Sequence, residues 1–325
     1  MSLSVHVLRE MPAEALVLLA ERLEPAVHLT HGLELPEPAA CHILVTGRLT
    51  REHLRASPNL RAIVVPWAGL PDTVRALAPE FPHIAVHNLH HNAAPVAELA
   101  VTLMLAAAKF ILPLDRALRQ SDWRPRYRGN PSVLLVGKTA LILGYGAIGQ
   151  RVACVCRGLG MTVIATRRNP EASRDGDVEI HPPQALHRLL PRANVLLICL
   201  PLTDETTGLV GERELALLPP GAVLVNIGRG PIVDEAALYH ALCEGRLHAA
   251  GLDVWYNYPA DEAARAQTPP SAFPFHELEN VVMSPHRGGQ SHDTELLRAI
   301  ELARLLNAAA RGEPMPNRVD LQAGY

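Results

Sequence analysis

Residues Thr139-Ala-Leu-Ile-Leu-Gly-Tyr-Gly-Ala-Ile-Gly149 decide how this chain is read. An apolar strand, Ala140 to Leu143, breaks into a turn with glycine at positions 144, 146 and 149, and a helical pattern follows as far as Gly160. In such a layout the first glycine permits a tight turn, the second lets backbone approach a pyrophosphate, and the third lets the helix pack closely on the strand. The anion then rests on unpaired N–H groups at the helix start. The stretch predicts a dinucleotide site formed by Gly144, Tyr145, Gly146, Ala147, Ile148 and Gly149.

A second apolar strand, Met161 to Thr166, ends where an NAD site carries a carboxylate for the ribose hydroxyls. The residues there are Thr166, Arg167 and Arg168, with no acid among them. A 2'-phosphate is gripped by planar guanidinium groups and repelled by a carboxylate, so NADP(H) is expected over NAD(H). The other reading of the pair is a solvated loop.

Working outward, the first hundred residues alternate short apolar strands with helical or turn segments: Val5 to Leu8, Pro12 to Leu23, Ile43 to Thr46, Ile63 to Val65, Leu70 to Ala78 and Ala85 to Val86. A second series starts at Lys138, with strands at Ala140 to Leu143, Thr162 to Ala165, Val195 to Cys199, Ala222 to Asn226, Ala249 to Leu252 and Val281 to Met283. Repeated βα alternation predicts an α/β protein with two doubly wound parallel-sheet domains. The amphipathic helix Asp293 to Ala310 no longer belongs to the second series and is expected to cross back to the first. A Rossmann-type nucleotide domain, 109–288, is then inserted in a discontinuous flavodoxin-like substrate domain, 1–108 and 289–325.

The chain has 325 residues, 48% hydrophobic and 19% charged, enough for two cores. A net charge of −3 supplies no basic field for nucleic acid or an anionic membrane. The longest apolar helix, Val96 to Leu114, is interrupted by Glu98 and Lys109 and reads as a buried core helix, and no signal-like segment opens the sequence. The five cysteines are odd in number and lie mostly in apolar patterns, which fits reduced thiols in a cytoplasm. Cys154 and Cys156 project to different sides of one helix, so no metal site is expected.

Four further blocks appear in order: Cys199-Leu-Pro-Leu-Thr-Asp-Glu-Thr206, Val225-Asn-Ile-Gly-Arg-Gly-Pro-Ile-Val-Asp-Glu235, Gly251-Leu-Asp-Val-Trp255 and Ser284-Pro-His-Arg-Gly-Gly289. With Asn317-Arg-Val-Asp320 near the end, they resemble the D-isomer-specific 2-hydroxyacid dehydrogenases over nearly the whole chain. The resemblance implies that Arg229 holds the substrate carboxylate and polarises the 2-keto oxygen, and that His286 moves the proton. Both side chains suit these roles, because a guanidinium stays charged and bridges two oxygens, and an imidazole exchanges a proton near neutral pH. The resemblance also implies that Leu200, Pro201, Thr206, Asn226, Ile227, Gly228, Asp253 and Gly288 line the cofactor. Trp67-Ala68-Gly69 resembles the family's turn for the substrate carboxylate, and a plain turn ahead of a helix is the other reading of it. Relatives are homodimers through the nucleotide domain, so a homodimer is expected.

One departure stands out. Family members place a glutamate, hydrogen-bonded to the catalytic histidine, where this chain has Tyr258. A carboxylate raises a histidine pKa and a neutral phenol does so far less, so His286 is expected to titrate near 6.5 or lower. Tyr258 is counted with the substrate-binding residues, as is His91, which with His90 and Asn92 sits between strand and helix at a sheet edge. Asn92 reads equally as a helix cap. The Pro-rich loop Pro259 to Pro274, carrying Phe273, reads either as a lid shaping the pocket, together with Phe275, or as surface packing on its own domain.

The expectation is an NADP(H)-dependent 2-ketoacid reductase acting on a small anion. The alternatives are a nucleotide-sensing binding protein of the same fold and a dehydrogenase for a different small anion.

Overall fold

The computed structural model describes residues 2–129, 131–170 and 173–321. The chain forms two compact units, one of Met1–Asn92 with Gln290–Tyr325 and one of Ala93–Gly289.

The first unit is built on five strands: β1 (Leu3–Leu8), β2 (Val27–Gly32), β3 (Ile43–Val45), β4 (Ala62–Val65) and β5 (Ala85–Asn88). They run parallel in the order β2-β1-β3-β4-β5. This is the flavodoxin-like doubly wound order. Successive residues of the inner strands serve opposite faces: Ile43 and Val45 join Leu3, Val5 and Val7 in one core, and Leu44 joins Ile63 and Val65 in the other. The helix Thr294–Ala310 supplies Ala299, Leu302, Ala303, Leu305 and Leu306 to the first of these cores, so the C-terminal segment completes the N-terminal sheet. The tail follows beside β5, where the Val319 N–H donates to the Val86 carbonyl at 2.8 Å.

The second unit carries β6 (Thr139–Leu143), β7 (Thr162–Thr166), β8 (Arg174–Asp175), β9 (Val178–His181), β10 (Val195–Ile198), β11 (Ala222–Asn226), β12 (Leu247–Leu252) and β13 (Val281–Met283). Their order is β13-β12-β11-β10-β6-β7-β9-β8, parallel except for the short antiparallel β8. The order reverses between β6 and β10, the Rossmann switch point. Ala140 and Ile142 face one core and Leu141 and Leu143 the other, which is why this strand is apolar without alternation.

Three features differ from the sequence expectation. The boundary falls at Asn92/Ala93 rather than at 108, because the helix Ala93–Lys109 packs Val96, Ala100, Leu103 and Ala107 into the nucleotide unit's core. The single helix expected from Val96 to Leu114 is two, Ala93–Lys109 and Ile111–Arg119, broken at Phe110 with φ 52° and bent by 68°. Among the described residues no single helix is long and apolar enough to cross a membrane. Strands β2 and β9 were not among the expected strands: β2 is a half-exposed to exposed edge strand, and β9 is a four-residue strand that buries Val178 and Ile180.

Candidate active site

All strands of the second sheet but β8 are parallel, so their carboxyl ends meet at one edge. After β6 comes the glycine turn. Gly144 has φ +98°, and a Cβ there would lie 2.8 Å from the Cys199 carbonyl oxygen. At Gly149 a Cβ would lie 2.1 Å from the Gly144 carbonyl oxygen, so close helix–strand packing demands this glycine. Gly146 is different. A Cβ there would meet nothing within 4 Å, and the helix Ala147–Gly158 that it starts has no side-chain cap. The fold does not need a bare Cα at 146, whereas a phosphate seated on the helix N-terminus does. The residues present fit a dinucleotide.

The Tyr145 side chain turns inward, 5% exposed, and its hydroxyl donates to Asp175 Oδ2 at 2.9 Å. Burial and this carboxylate push its pKa up to about 12. Asp175, on the β8–β9 hairpin, was not foreseen, because nothing in its local pattern marks it. Thr166 ties the turn to β7: its hydroxyl accepts from Gly144 N–H at 3.3 Å and its carbonyl from Tyr145 N–H at 2.8 Å. Arg167 and Arg168 follow, both exposed, with Arg168 Nη2 3.8 Å from Glu205. Beyond β10, Thr206 closes its own loop, donating to the Pro201 carbonyl at 2.7 Å and accepting from Thr203 N–H at 2.8 Å.

At the end of β11 the buried Asn226 amide organises the turn that presents Arg229. It accepts from Gly228 N–H at 3.0 Å and donates to the Arg229 carbonyl at 3.0 Å. The Arg229 guanidinium donates to the Gly228 carbonyl at 2.7 Å and is half-buried.

At the end of β12, Asp253 is 2% exposed. Its carboxylate accepts from Ser284 Oγ at 2.5 Å, Arg287 N–H at 2.8 Å and Gly288 N–H at 2.8 Å. The buried charge is thus compensated by the loop after β13, as such a charge must be. Gly288 fits because a Cβ would fall 2.8 Å from Asp253 Oδ2. Trp255 Nε1–H adds a bond to the Ser284 carbonyl at 2.8 Å. Ser284 and Trp255 lie in the quoted blocks, but no role was read for them from residue type or spacing.

Between these anchors His286 sits at φ 58°, in the left-handed region where a non-glycine residue is strained by about 1–2 kcal/mol. Tyr258 Oη lies 2.9 Å from His286 Nδ1 and accepts from Trp255 N–H at 3.2 Å. His286 is held below its ordinary pKa by loss of water around the ring and by Arg229, with Asp253 opposing.

The loop read either as a lid or as packing on its own domain is fastened to its own unit. Ser271 Oγ and Ala272 N–H donate to Glu235 Oε1 at 2.6 and 2.8 Å. Phe273 stacks near Tyr239 with ring centres 5.1 Å apart, and Phe275, 1% exposed, lies edge-on to Tyr239 and Trp255. The two rings therefore serve packing within the unit.

Within the first unit, Trp67-Ala68-Gly69 follows β4. The Asn88 amide donates to the Ala68 carbonyl at 2.7 Å, and the Trp67 ring lies over Gly47. His91 follows β5, buried, its Nδ1 without a partner among the described residues. Burial and Arg298 take its pKa down to about 4, so it is neutral at pH 7. His90 is likewise lowered by burial.

A family model described as "D-isomer specific 2-hydroxyacid dehydrogenase, NAD binding domain" matches residues 101–288. A glyoxylate reductase from Aeropyrum pernix is 34% identical, the match covering 97% of this chain and 95% of that one. A D-3-phosphoglycerate dehydrogenase from Archaeoglobus fulgidus is 32% identical over 89% of this chain, which spans only 52% of that protein. Among solved structures, a D-isomer specific 2-hydroxyacid dehydrogenase from Xanthobacter autotrophicus Py2, in complex with NADPH and MES, superposes with a TM-score of 0.81 at 25% identity over 100% of both chains.

The two glycines predict opposite phenotypes. Gly146→Ala keeps thermal stability within about 1 kcal/mol and weakens NADPH binding at least tenfold in a fluorescence titration. Gly149→Ala loses about 3 kcal/mol or more in thermal unfolding through overpacking. Unchanged NADPH affinity in Gly146→Ala would remove the phosphate assignment.

Proposed function

The chain belongs to the D-isomer specific 2-hydroxyacid dehydrogenase family, and within these NAD(P)-dependent oxidoreductases of CH–OH donors we propose that it reduces a small 2-keto acid to the D-2-hydroxy acid with NADP(H). The observation that carries this reading is the strand edge itself. One charged donor, Arg229, and one titratable imidazole, His286, stand there beside a glycine turn whose middle member the fold does not require.

Gly144 to Gly149 would hold the pyrophosphate, with Thr166, Arg167 and Arg168 at the adenosine end. When bound, the reduced nicotinamide supplies the hydride. Arg229 binds the substrate carboxylate and draws charge from the 2-keto oxygen. Protonated His286 gives its Nε2 proton to that oxygen as it becomes an alkoxide. Asp253 keeps the histidine loop in place throughout. The relatives' names and the anionic specificity of a guanidinium support glyoxylate or another small 2-keto acid as substrate. NADP(H) preference rests on the two arginines and the missing acid after β7.

We also propose a homodimer. Its support is the run of exposed apolar side chains Ile111, Leu118, Trp123, Tyr127, Leu134 and Val136 on one connecting stretch. The expected reducing cytoplasm accords with five free thiols.

Loss of NADPH and NADH absorbance, followed in parallel with glyoxylate, hydroxypyruvate and pyruvate, tests the activity. NADPH-linked turnover is expected, and Arg167→Ala with Arg168→Ala should cost about 10- to 100-fold in its kcat/KM while sparing NADH. No turnover despite cofactor binding would favour the nucleotide-sensing alternative. Reduction needs protonated His286, whose pKa lies below 6.5. Single-turnover reduction should therefore fall about tenfold per pH unit above that pKa, and a flat rate from mildly acid to pH 8 would refute the assignment. Light scattering should return twice the 35.3 kDa chain mass; a monomer at micromolar concentration would sink the dimer.

A further inference from the structure

Building on the reductase reading, we propose that Tyr258 is a positioning residue that parks neutral His286 in its Nε2–H tautomer, a form with no lone pair at Nε2 for a substrate hydroxyl. A phenol has one hydrogen. The Trp255 N–H points at the Tyr258 oxygen from 3.2 Å and takes up one of its lone pairs, which favours the O–H as donor toward a neutral ring. The O–H is left to donate, and His286 Nδ1 lies 2.9 Å away to receive it. A neutral imidazole carries one N–H, so an accepting Nδ1 puts the proton on Nε2. A glutamate at this place would do the reverse, since a carboxylate only accepts and so keeps the proton on Nδ1 and the lone pair on Nε2.

The groups facing the ring are Tyr258, Arg229 from the turn after β11, and Asp253 at the end of β12. Arg229 opposes the imidazolium. Asp253 favours it, although Ser284, Arg287 and Gly288 already occupy the carboxylate. When His286 is protonated, Nδ1 must donate and the phenol hydrogen must swing to water, which the 48% exposure of Tyr258 permits.

In reduction the Nε2 proton passes to the alkoxide oxygen as hydride reaches the carbonyl carbon, leaving neutral Nδ1–H imidazole. Exchange with water and the phenol then returns it to the parked Nε2–H form. Oxidation requires the rare Nδ1–H form before a proton can leave the substrate hydroxyl. Both directions are throttled at neutral pH, and because they share one equilibrium constant, any release of the throttle at a given pH raises both by the same factor.

The test uses the full chain with ¹⁵N-labelled histidine and long-range ¹H–¹⁵N correlation spectra at alkaline pH, with His286→Asn to assign the signal. Wild type should show Nε2–H. Tyr258→Phe should shift the population toward Nδ1–H by roughly tenfold, about one hydrogen bond, and Tyr258→Glu should invert it and raise the His286 pKa above 6.5. Tyr258→Glu should also raise kcat/KM for oxidation at least tenfold at pH 8. An Nδ1–H signal in wild type, or a tautomer ratio unchanged in Tyr258→Phe, would overturn the proposal. If the spectra behave as expected while no 2-keto acid is turned over, the tautomer assignment stands and the reductase reading falls.

Discussion

A carboxylate removed from water must be met by donors, and Asp253 is met by three that all belong to the loop after β13. That requirement links two neighbouring strand ends. The bonds to Arg287 and Gly288 take up the backbone just past His286 and hold it at a positive φ that an isolated histidine would leave. The strain is absorbed by charge-assisted bonds, and what emerges is an imidazole aimed from a rigid edge. Other contacts near this edge, from Ser284 to Trp255, refine a placement that Asp253 imposes.

Beside that fixed carboxylate the balance of charge at the edge is unusual. The buried anion is spent on two backbone N–H groups and the Ser284 hydroxyl, the hydrogen-bond partner of His286 is a neutral phenol, and the cation acting on it is Arg229. Loss of water and the guanidinium act together against the imidazolium, so in the proposed reaction the proton donor would be scarce at neutral pH. The substrate carboxylate, once held by Arg229, would offset part of that cation's field. On the proposed reading, protonation of the histidine and occupancy by an anion would thereby be coupled.

Much of this was legible because the chemistry and the fold use the same residues. The glycine turn and the apolar strands β6, β10 and β11 are marked by type and spacing, and Arg229 and His286 stand out through the family resemblance of the blocks around them. What escaped did so for physical reasons. Strand β2, at the sheet edge, turns polar His28 and Thr30 to its exposed face, and the hairpin of β8 and β9 offers only two and four residues in which to read a strand. The break at Phe110 does carry a signal, Pro113 three residues on, whose ring and missing N–H stop a helix from running through that turn, while Phe110 itself takes the left-handed conformation. Phe273 and Phe275 do line a cavity of about 580 Å³, with Asn257 and Met283, and apolarity alone does not say that they also pack on Tyr239. The inward course of Tyr145 depends on Asp175, thirty residues along the chain, and no local pattern reveals such a partner.

The Pro-rich loop is pinned shut at its base. Tyr256 and Asn257 N–H both donate to the Pro270 carbonyl, at 3.2 and 3.0 Å, while Tyr258 is tied back to Trp255 through its own hydroxyl. Everything from Pro259 to Pro269 is thus a closed excursion whose length costs the body of the unit little. Insertions, deletions and drift in that excursion leave the histidine's partner in register. Over evolutionary time the loop and the proton chemistry can vary as separate traits, one by length and the other by a single codon at position 258.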